Sequence, residues 1–372
     1  MAGEVGIECS RKTANGFLSV RRTLHFLLLL YLFFASIDLM SAAFRLAGQG
    51  FAEHLINTVS DPLAGLILGF VATAIIQSSS TTTTIVVGLV ASGTLSIELA
   101  VPVLMGANIG TTTTNTLVSL GHVARPLEFE RAFSASTVHD FFNLLAAVTL
   151  LPIEILFHPI QRMAVFLQAT FAGLGGMNIA SPLKSVVGPL TRAVAGQLPY
   201  AAPLALIALV ALFFSLQRMM TVMKGAVLSR LERLFDRVFF RNDAASFTLG
   251  MVATASVQSS SATTSLIVPL AGTGVLSLRQ IFPYTLGANI GTTVTAILAS
   301  LSTGVPAAVT VAFAHLSFNI LGIAIYYPLK VLPLWIARRA GRIAARSRRN
   351  AVTVVAIYCA LVFLPLLYIL LS

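Results

Sequence analysis

Long apolar runs alternate with short polar segments along most of the chain. Runs of about 20 residues or more can cross a bilayer as single helices, and such runs lie at 24–47, 98–120, 131–157, 201–222, 283–301, 306–330 and 351–371. The first run follows a polar segment and lacks a small-residue cleavage site, so we expect a retained helix rather than a cleaved signal peptide. The pattern predicts an all-α polytopic membrane protein with about seven full transmembrane helices.

Two further apolar segments, 62–97 and 243–278, have a length that fits neither one crossing nor two. Each contains 36 residues; one straight helix of that size would be about 54 Å long, whereas two crossings need roughly 40 residues and a turn. The most polar part of each lies at its middle, at Gln77–Ser80 and Gln258–Ser261. We therefore predict two re-entrant hairpins of short helical arms, with their tips near mid-membrane inside protein or a water-filled cavity.

Composition and charge agree with a membrane protein and indicate its orientation. The chain is 56% hydrophobic and 10% charged, and because so much apolar surface needs a bilayer, soluble enzymes and nucleic-acid binders are excluded as classes. With the N-terminus in the cytoplasm and hairpins that do not cross, 20 of the 24 Lys and Arg residues are cytoplasmic, as the positive-inside rule requires. We attribute the net charge of +11 first to topology and second to contact with anionic lipid, with no nucleic-acid partner.

The two halves of the chain share three motifs in the same order. A shift of 181 residues superposes Gly69–Ser80 on Gly250–Ser261 and Gly106–Thr112 on Gly287–Thr293. With five residues removed, a His-x-x-Phe-Asn motif at 139–143 meets a second copy at 315–319. Three predicted crossings separate the two Gln-Ser-Ser-Ser segments, and because this number is odd, the second copy must enter from the opposite membrane face. Inverted repeats with discontinuous helices are typical of secondary transporters.

This arrangement predicts six segments along the chain. They are a cytoplasmic N-terminal tail (1–23), a first inverted repeat (24–157), an extracytoplasmic loop (158–200), a second inverted repeat (201–330), a basic cytoplasmic segment (331–350) and a final transmembrane helix (351–372).

The polar residues of the hairpins offer neutral oxygens and hydroxyl donors. Such oxygens suit a hard cation, whereas hydroxyls and freed backbone N–H groups suit an oxyanion, so one site can hold both ions. Structural roles remain the alternative, because Ser and Thr often bond their own helix carbonyls and glycine motifs often serve close packing. Asn108 and Asn289 could each act either as a ligand or as a stabiliser of a helix break. His139 and His315 are predicted to be buried, hydrogen-bonded residues rather than proton carriers.

One acidic residue breaks the symmetry of the repeat. Asp140 lies within a predicted span, and its counterpart in the second copy is Leu316. Ionisable residues at membrane depth are typically functional, so Asp140 is a candidate cation ligand. The lack of His and Cys clusters argues against a transition metal, and the two cysteines, Cys9 and Cys359, are not predicted to pair.

The same residues leave open an ion channel or a Na⁺-coupled transporter of another anion or cation. An ion channel is the alternative suggested by the run Thr81–Thr84 followed by Ile-Val-Val-Gly, although the inverted repeat argues against it. An enzyme is not expected, because the chain contains no Gly-x-Ser-x-Gly, His-Glu-x-x-His or phosphate-cradling P-loop.

The motif set resembles that of the type II sodium-dependent phosphate cotransporter family. The resemblance rests on the paired Gln-Ser-Ser-Ser segments, each followed by Gly-Ala-Asn-Ile-Gly-Thr, and on Thr-Val-His-Asp-Phe-Phe-Asn at 137–143. It implies sodium-coupled uptake of inorganic phosphate, with Na⁺ as coupling ion and no other cofactor. The segment 158–200 lacks an Asn-x-Ser/Thr glycosylation motif, so we expect a bacterial cytoplasmic membrane.

The resemblance also implies a set of ion-binding residues. The residues assigned to sodium are Gln77, Ser78, Gln258, Ser259, Thr295, Asp140 and Thr111. Those assigned to phosphate are Ser79, Ser80, Ser260, Ser261, Asn108, Asn289, Thr112 and Thr292. In the family an Asp at the position of Asp140 accompanies an additional sodium ion, but Ser134 and Ser136 stand where electrogenic members usually carry Ala, which leaves the stoichiometry open.

Overall fold

Helices are the regular secondary structure of the part of the chain that the structure describes, and no strand occurs there. The computed structural model describes residues 2–111, 113–238, 242–347, 349–354, 356–357 and 360. The helices are α1 (Ala2–Val59), α2 (Pro62–Ile76), α3 (Ser79–Ala91), α4 (Ile97–Gly110), α5 (Thr113–Ser119), α6 (Pro126–Phe157), α7 (Pro159–Gly173), α8 (Met177–Gln197), α9 (Ala201–Val238), α10 (Asp243–Val257), α11 (Ser260–Ser265), α12 (Ile267–Gly272), α13 (Leu278–Thr303), α14 (Pro306–Tyr326) and α15 (Val331–Ala345). The predicted all-α fold class is confirmed.

Five helical segments are long and apolar enough to cross a membrane. They are Arg21–Val59, Pro126–Phe157, Ala201–Met223, Leu278–Thr303 and Pro306–Tyr326, and they coincide with five of the seven runs predicted from the sequence. A sixth predicted run, 351–371, lies largely outside the described residues.

The prediction of one continuous helix over 98–120 is wrong. Helix α4 ends at Gly110 and α5 begins at Thr113, so neither is long enough to span a bilayer alone. Four consecutive threonines follow Gly110, and a run of β-branched residues has a lower helix propensity than the residues before it. The equivalent run of the second half contains fewer hydroxyls and stays continuous in α13.

Segments predicted as a tail, a loop and a basic connection are helical. The segment 158–200 contains α7 and α8, which pack against α14 and α1 respectively, and 331–350 contains α15, which packs against α6. The tail 1–23 continues into α1. These helices were not predicted because their apolar residues form one stripe rather than an unbroken run, and only such runs reveal a crossing.

Glycines bring α2 and α4 into backbone contact. A β-carbon added at Gly106 would lie 2.8 Å from both the carbonyl carbon of Leu66 and the nitrogen of Phe70, and one added at Gly69 would lie 2.8 Å from the carbonyl carbon of Val103. Side chains essentially never approach backbone that closely, so only glycine permits this packing.

The second half repeats the same contacts. A β-carbon at Gly287 would lie 2.8 Å from the carbonyl carbon of Phe247, and one at Gly250 would lie 2.9 Å from that of Tyr284. Each of these residues stands 181 positions after its counterpart in α2 and α4. The sequence repeat is therefore also a repeat of packing, between α10 and α13.

Each half packs its second short helix against the other half. Helix α3 contacts α13 and α14, whereas α11 contacts α5 and α12 contacts α6. The Gln-Ser-Ser-Ser segments lie at the start of α3 and α11, so this exchange places both of them at the interface between the halves.

Candidate functional site

Both Gln-Ser-Ser-Ser segments interrupt a helix by the same local chemistry. Gln77 (φ 58°) and Gln258 (φ 57°) adopt the left-handed conformation that few residues other than glycine accept. The next residue begins a new helix, since the Ser78 side chain accepts the N–H of Thr81 and the Ser259 side chain accepts that of Ala262, each at 3.2 Å. The predicted breaks thus lie at Gln77–Ser78 and Gln258–Ser259.

The two breaks meet inside the molecule. The Ser80 hydroxyl donates to the carbonyl oxygen of Gln258 at 3.4 Å, which joins the two tips directly. On the other side, the Ser261 hydroxyl donates to the carbonyl oxygen of Thr111 at 2.9 Å. All four residues belong to the predicted set, and each bond connects one half of the chain to the other.

Among the second-half residues assigned to sodium, two carry a side-chain oxygen that is buried without a hydrogen-bond partner. These oxygens are Oε1 of Gln258, a residue 7% exposed, and Oγ1 of Thr295, a residue 0% exposed. Helix α13 follows α10 in register, with Gly287 against Phe247 and Gly291 against Met251, so Thr295, one turn further on, lies opposite the last turn of α10, the helix that ends just before Gln258. Buried polar atoms are nearly always paired in folded proteins, so this position calls for a ligand.

The first tip differs from the second. Gln77 is exposed and its amide nitrogen donates to the carbonyl of Ala74, whereas Gln258 is buried. Two nearly identical sequences therefore occupy unequal environments in this conformation.

Two histidines each form a hydrogen bond with an asparagine of the other half of the chain. Nε2 of His139 donates to Oδ1 of Asn289 at 2.5 Å, and Nε2 of His315 donates to Oδ1 of Asn108 at 3.2 Å. An amide oxygen only accepts, so Nε2 carries the proton in each ring, and Nδ1 of each is buried without a partner. Both rings are thus placed as buried, hydrogen-bonded groups.

Asn143 connects these two bonds. Its side chain accepts from Nδ2 of Asn289 at 2.7 Å and donates to the carbonyl oxygen of Asn108 at 2.9 Å. Nδ2 of Asn108 donates to Leu104 O at 3.0 Å, so the amides of both Asn108 and Asn289 are engaged by protein. Their role in phosphate binding stays a prediction, one that requires these bonds to be exchanged.

The crossed bonds make a specific prediction for stability. We expect His139→Ala to lower the free energy of unfolding by about 1–3 kcal/mol, because it leaves the buried Oδ1 of Asn289 without its donor. Thermal unfolding of the purified protein in detergent measures this change. The control is His54→Ala, since His54 is exposed, and His139→Gln should recover part of the loss because its amide can donate.

Asp140 lies beside a residue pair that the sequence analysis missed. Its Oδ2 accepts the hydroxyl of Thr116 at 3.4 Å. The neighbouring Asn115 donates to the hydroxyl of Thr264 in the other half at 2.8 Å, and its Oδ1 is buried without a partner. Asn115 was overlooked because its counterpart is Ala296; the same break in symmetry that drew attention to Asp140 was the available signal.

Three more predicted residues are buried: Ser79 and Ser260, at the starts of α3 and α11, and Thr292 in α13. The hydroxyls of Thr111 and Thr292 bond carbonyls one turn earlier in their own helices, at 3.1 and 3.0 Å, which is the structural alternative for these two. Thr112 lies outside the described residues. Among the residues that are described, no group of three or more His, Cys, Asp or Glu could hold a metal ion.

The fold and this site together define a class of protein. Several apolar helices long enough to cross a membrane, and two copies of one packing unit whose helix breaks meet at a buried, uncharged and oxygen-rich centre, are typical of repeat-built membrane transporters. The family model described as Na⁺/Pi-cotransporter matches residues 32–179 and 211–366. The chain belongs to this family.

Curated relatives are similar over most of the chain. The sodium-dependent phosphate transport protein 2A of Ovis aries is 32% identical, over 91% of this chain and 65% of its own length. The 2A protein of Rattus norvegicus is 33% identical over 87% and 63%, and the 2B protein of Homo sapiens is 30% identical over 93% and 66%. The chain thus spans about two thirds of the length of these relatives. No solved structure matches it.

Proposed function

We propose that this protein is a symporter that imports inorganic phosphate together with Na⁺ across a cell membrane. The observation that carries the proposal is a pair of buried, unpartnered oxygens: Oε1 of Gln258, at the point where the two helix breaks meet, and Oγ1 of Thr295 in α13. The relatives named as sodium-dependent phosphate transport proteins support the choice of ions. The localisation we propose is a bacterial cytoplasmic membrane with the N-terminus inside.

The chemistry of the site suits a small hard cation. Oε1 of Gln258 and Oγ1 of Thr295 are buried, uncharged oxygens, and such oxygens can replace the hydration shell of Na⁺. Ser259 follows Gln258 at the same break, and Gln77, Ser78 and Thr111 are the first-half members of the proposed sodium set. Because these ligands are neutral, each bound cation leaves a net positive charge.

That positive charge favours an anion beside the bound cation. Phosphate would accept hydrogen bonds from the hydroxyls of the two tips, and the N-terminus of α3, a helix of 13 residues, directs free N–H groups toward it. Attraction between the ions would offset part of the dehydration of each. The proposed phosphate donors are Ser79, Ser80, Ser260 and Ser261, joined after exchange of their present bonds by Asn108, Asn289, Thr112 and Thr292.

Alternating access would follow from exchange between the two halves. In inverted repeats, each half can adopt the conformation of the other, which exposes the central site first to one side and then to the opposite side. The unequal tips, with Gln77 exposed and Gln258 buried, support this mechanism, because a single state of such a cycle must be asymmetric. Thr82 and Thr84 bond carbonyls of their own helix, so their hydroxyls do not favour the channel alternative.

Uptake into proteoliposomes tests the proposal. With an inward sodium gradient, we expect labelled phosphate to accumulate above its equilibrium level, and replacement of Na⁺ by K⁺ should abolish the accumulation. Accumulation that is equal with K⁺, or a flux far above transporter turnover that never exceeds equilibrium, would contradict a sodium-coupled symporter.

Asp140 is proposed to add one coupled sodium ion and hence a net charge to the cycle. If three Na⁺ accompany one divalent phosphate, one charge moves, and inside-negative potential contributes about 2.3 kcal/mol per 100 mV. We therefore expect Asp140→Gly to reduce the charge moved per phosphate toward zero, as measured by current and labelled flux on the same proteoliposomes. Asp38→Asn, which alters an acid in another span, is the control, and an unchanged charge ratio in Asp140→Gly would contradict the assignment.

A further inference from the structure

A second polar cavity lies away from the ion site, where α6, α15 and the turn between α12 and α13 meet. Its volume is about 350 Å³, and its polar lining comes from Glu130, Arg131, Ser134, Ser277 and Arg338. None of these residues takes part in the site between the halves.

Close backbone contact builds this cavity. A β-carbon added at Gly341 would lie 2.6 Å from the carbonyl oxygen of Glu130, so α15 lies directly on α6. Arg338 precedes Gly341 by one turn and is thereby placed at the rim. Gly274, in the turn before α13, has φ 83°, and a β-carbon there would lie 2.6 Å from Nη1 of Arg131, so this guanidinium lies over the turn.

The cavity carries an excess of positive charge. Neither Arg131 nor Arg338 forms an ion pair among the residues that the structure describes, although Arg125 and Lys330 pair with Glu128 and Asp243. Glu130 supplies one carboxylate against the two guanidinium groups. Two arginines from different helices can hold a phosphate group by forked hydrogen bonds, which a single exposed arginine holds weakly.

An apolar groove lies on the same helix as Arg338. It has a volume of about 330 Å³ and is lined by Pro328, Leu329, Val331, Leu332 and Trp335. Trp335 is 52% exposed, stands three residues before Arg338, and has the guanidinium of Arg339 5.5 Å from its ring centroid. Exposed tryptophan beside arginine is typical of the headgroup level of a bilayer.

We propose that Arg131 and Arg338 bind the phosphate group of an anionic phospholipid, whose acyl chain lies in the groove beside Trp335. The apolar groove next to the charged cavity favours a lipid over free phosphate, because inorganic phosphate has no apolar part that could occupy the groove. A lipid bound here would link α6, α15 and the end of the second hairpin.

Lipid retention by the purified full-length chain tests the proposal. Binding of phosphatidylglycerol and of phosphatidylcholine with the same acyl chains is measured for the wild type, for Arg131→Gln with Arg338→Gln, and for Arg346→Gln with Arg349→Gln, two exposed arginines that line neither the cavity nor the groove. Both double variants remove two charges, but only the first alters the cavity. We expect the first to lose affinity for phosphatidylglycerol about tenfold and the second to change less than twofold.

Three outcomes would overturn the proposal. Equal losses in the two double variants would indicate diffuse attraction to the membrane surface, and equal retention of both lipids by the wild type would exclude recognition of an anionic head. Release of the lipid by millimolar inorganic phosphate would show that free phosphate is the ligand. If the glutamine variant does not fold, Arg131→Lys with Arg338→Lys keeps both charges without the forked geometry, and it should still bind severalfold more weakly than the wild type.

Discussion

Replacement of Gly106 by alanine is expected to abolish the folded protein, although it adds only one methyl group. The added carbon would lie 2.8 Å from both the carbonyl carbon of Leu66 and the nitrogen of Phe70. Both atoms are backbone, so no side-chain rotation can relieve the overlap, and α4 must move away from α2. Overpacking of a rigid contact destabilises proteins by about 1–3 kcal/mol and sometimes by more; we expect the upper end or beyond. The yield of monodisperse protein and its melting temperature in detergent measure the effect.

Two further glycine variants make this result specific. Gly196→Ala is the matched control, since Gly196 lies in α8 with nothing within 4 Å of an added β-carbon, and alanine there should be neutral or slightly stabilising. Gly287→Ala should fail as Gly106→Ala does, because the two positions are equivalent in the repeat. A stable Gly106→Ala or Gly287→Ala protein would contradict the close pairing of α2 with α4 or of α10 with α13.

The helix breaks and the repeated packing could be predicted from the sequence. A segment of 36 apolar residues is too long for one crossing, and Gln77 and Gln258, each followed by serine, stand at its middle in both copies. The glycines that bring α2 against α4 and α10 against α13 belong to the motifs that reveal the repeat; they are Gly69, Gly106, Gly250 and Gly287. These features were accessible because length and internal repetition depend on the chain alone.

Other features depend on the partner that each residue meets. The motifs containing His139 and Asn289 are both visible, but only the folded chain shows that a histidine of one half bonds an asparagine of the other. Helices α7, α8 and α15 have one apolar stripe, which length and hydropathy do not distinguish from a polar connection. The break between α4 and α5 likewise depends on the low helix propensity of a run of threonines, which a hydropathy pattern does not record.

The hydrogen bonds between the histidines and asparagines of the two halves are symmetric for the histidines and asymmetric for the asparagines. Asn143 bridges Asn289 and Asn108, whereas Asn319, its counterpart, donates to the carbonyl oxygen of His315 and leaves Oδ1 buried without a partner. Under the proposed mechanism, the opposite state would exchange these roles, so that Asn319 bridges and Asn143 does not. The network would then hold the halves together in both states while differing between them.

Gln258→Ala is expected to abolish sodium-dependent phosphate uptake without unfolding the protein. Oε1 of Gln258 has no hydrogen-bond partner in the described part of the chain, so its removal takes away a proposed sodium ligand but no bond of that oxygen that stabilises the fold. We expect at least a tenfold loss of uptake in proteoliposomes at sodium concentrations that saturate the wild type. Gln217→Ala is the control, because Gln217 is exposed on α9. Uptake at the wild-type rate would remove Gln258 from the sodium site.

Thr295→Val separates ion binding from folding most sharply. Valine keeps the shape of threonine, and because Oγ1 of Thr295 is buried without a partner, its loss should leave the melting temperature unchanged or raise it. The same change should raise the sodium concentration needed for half-maximal uptake about tenfold, since a neutral oxygen is removed from the proposed coordination shell. A structural hydroxyl would give the reverse, with a lower melting temperature and unchanged sodium dependence. Only a ligand oxygen would give a variant with an unchanged or higher melting temperature and a weaker affinity for sodium.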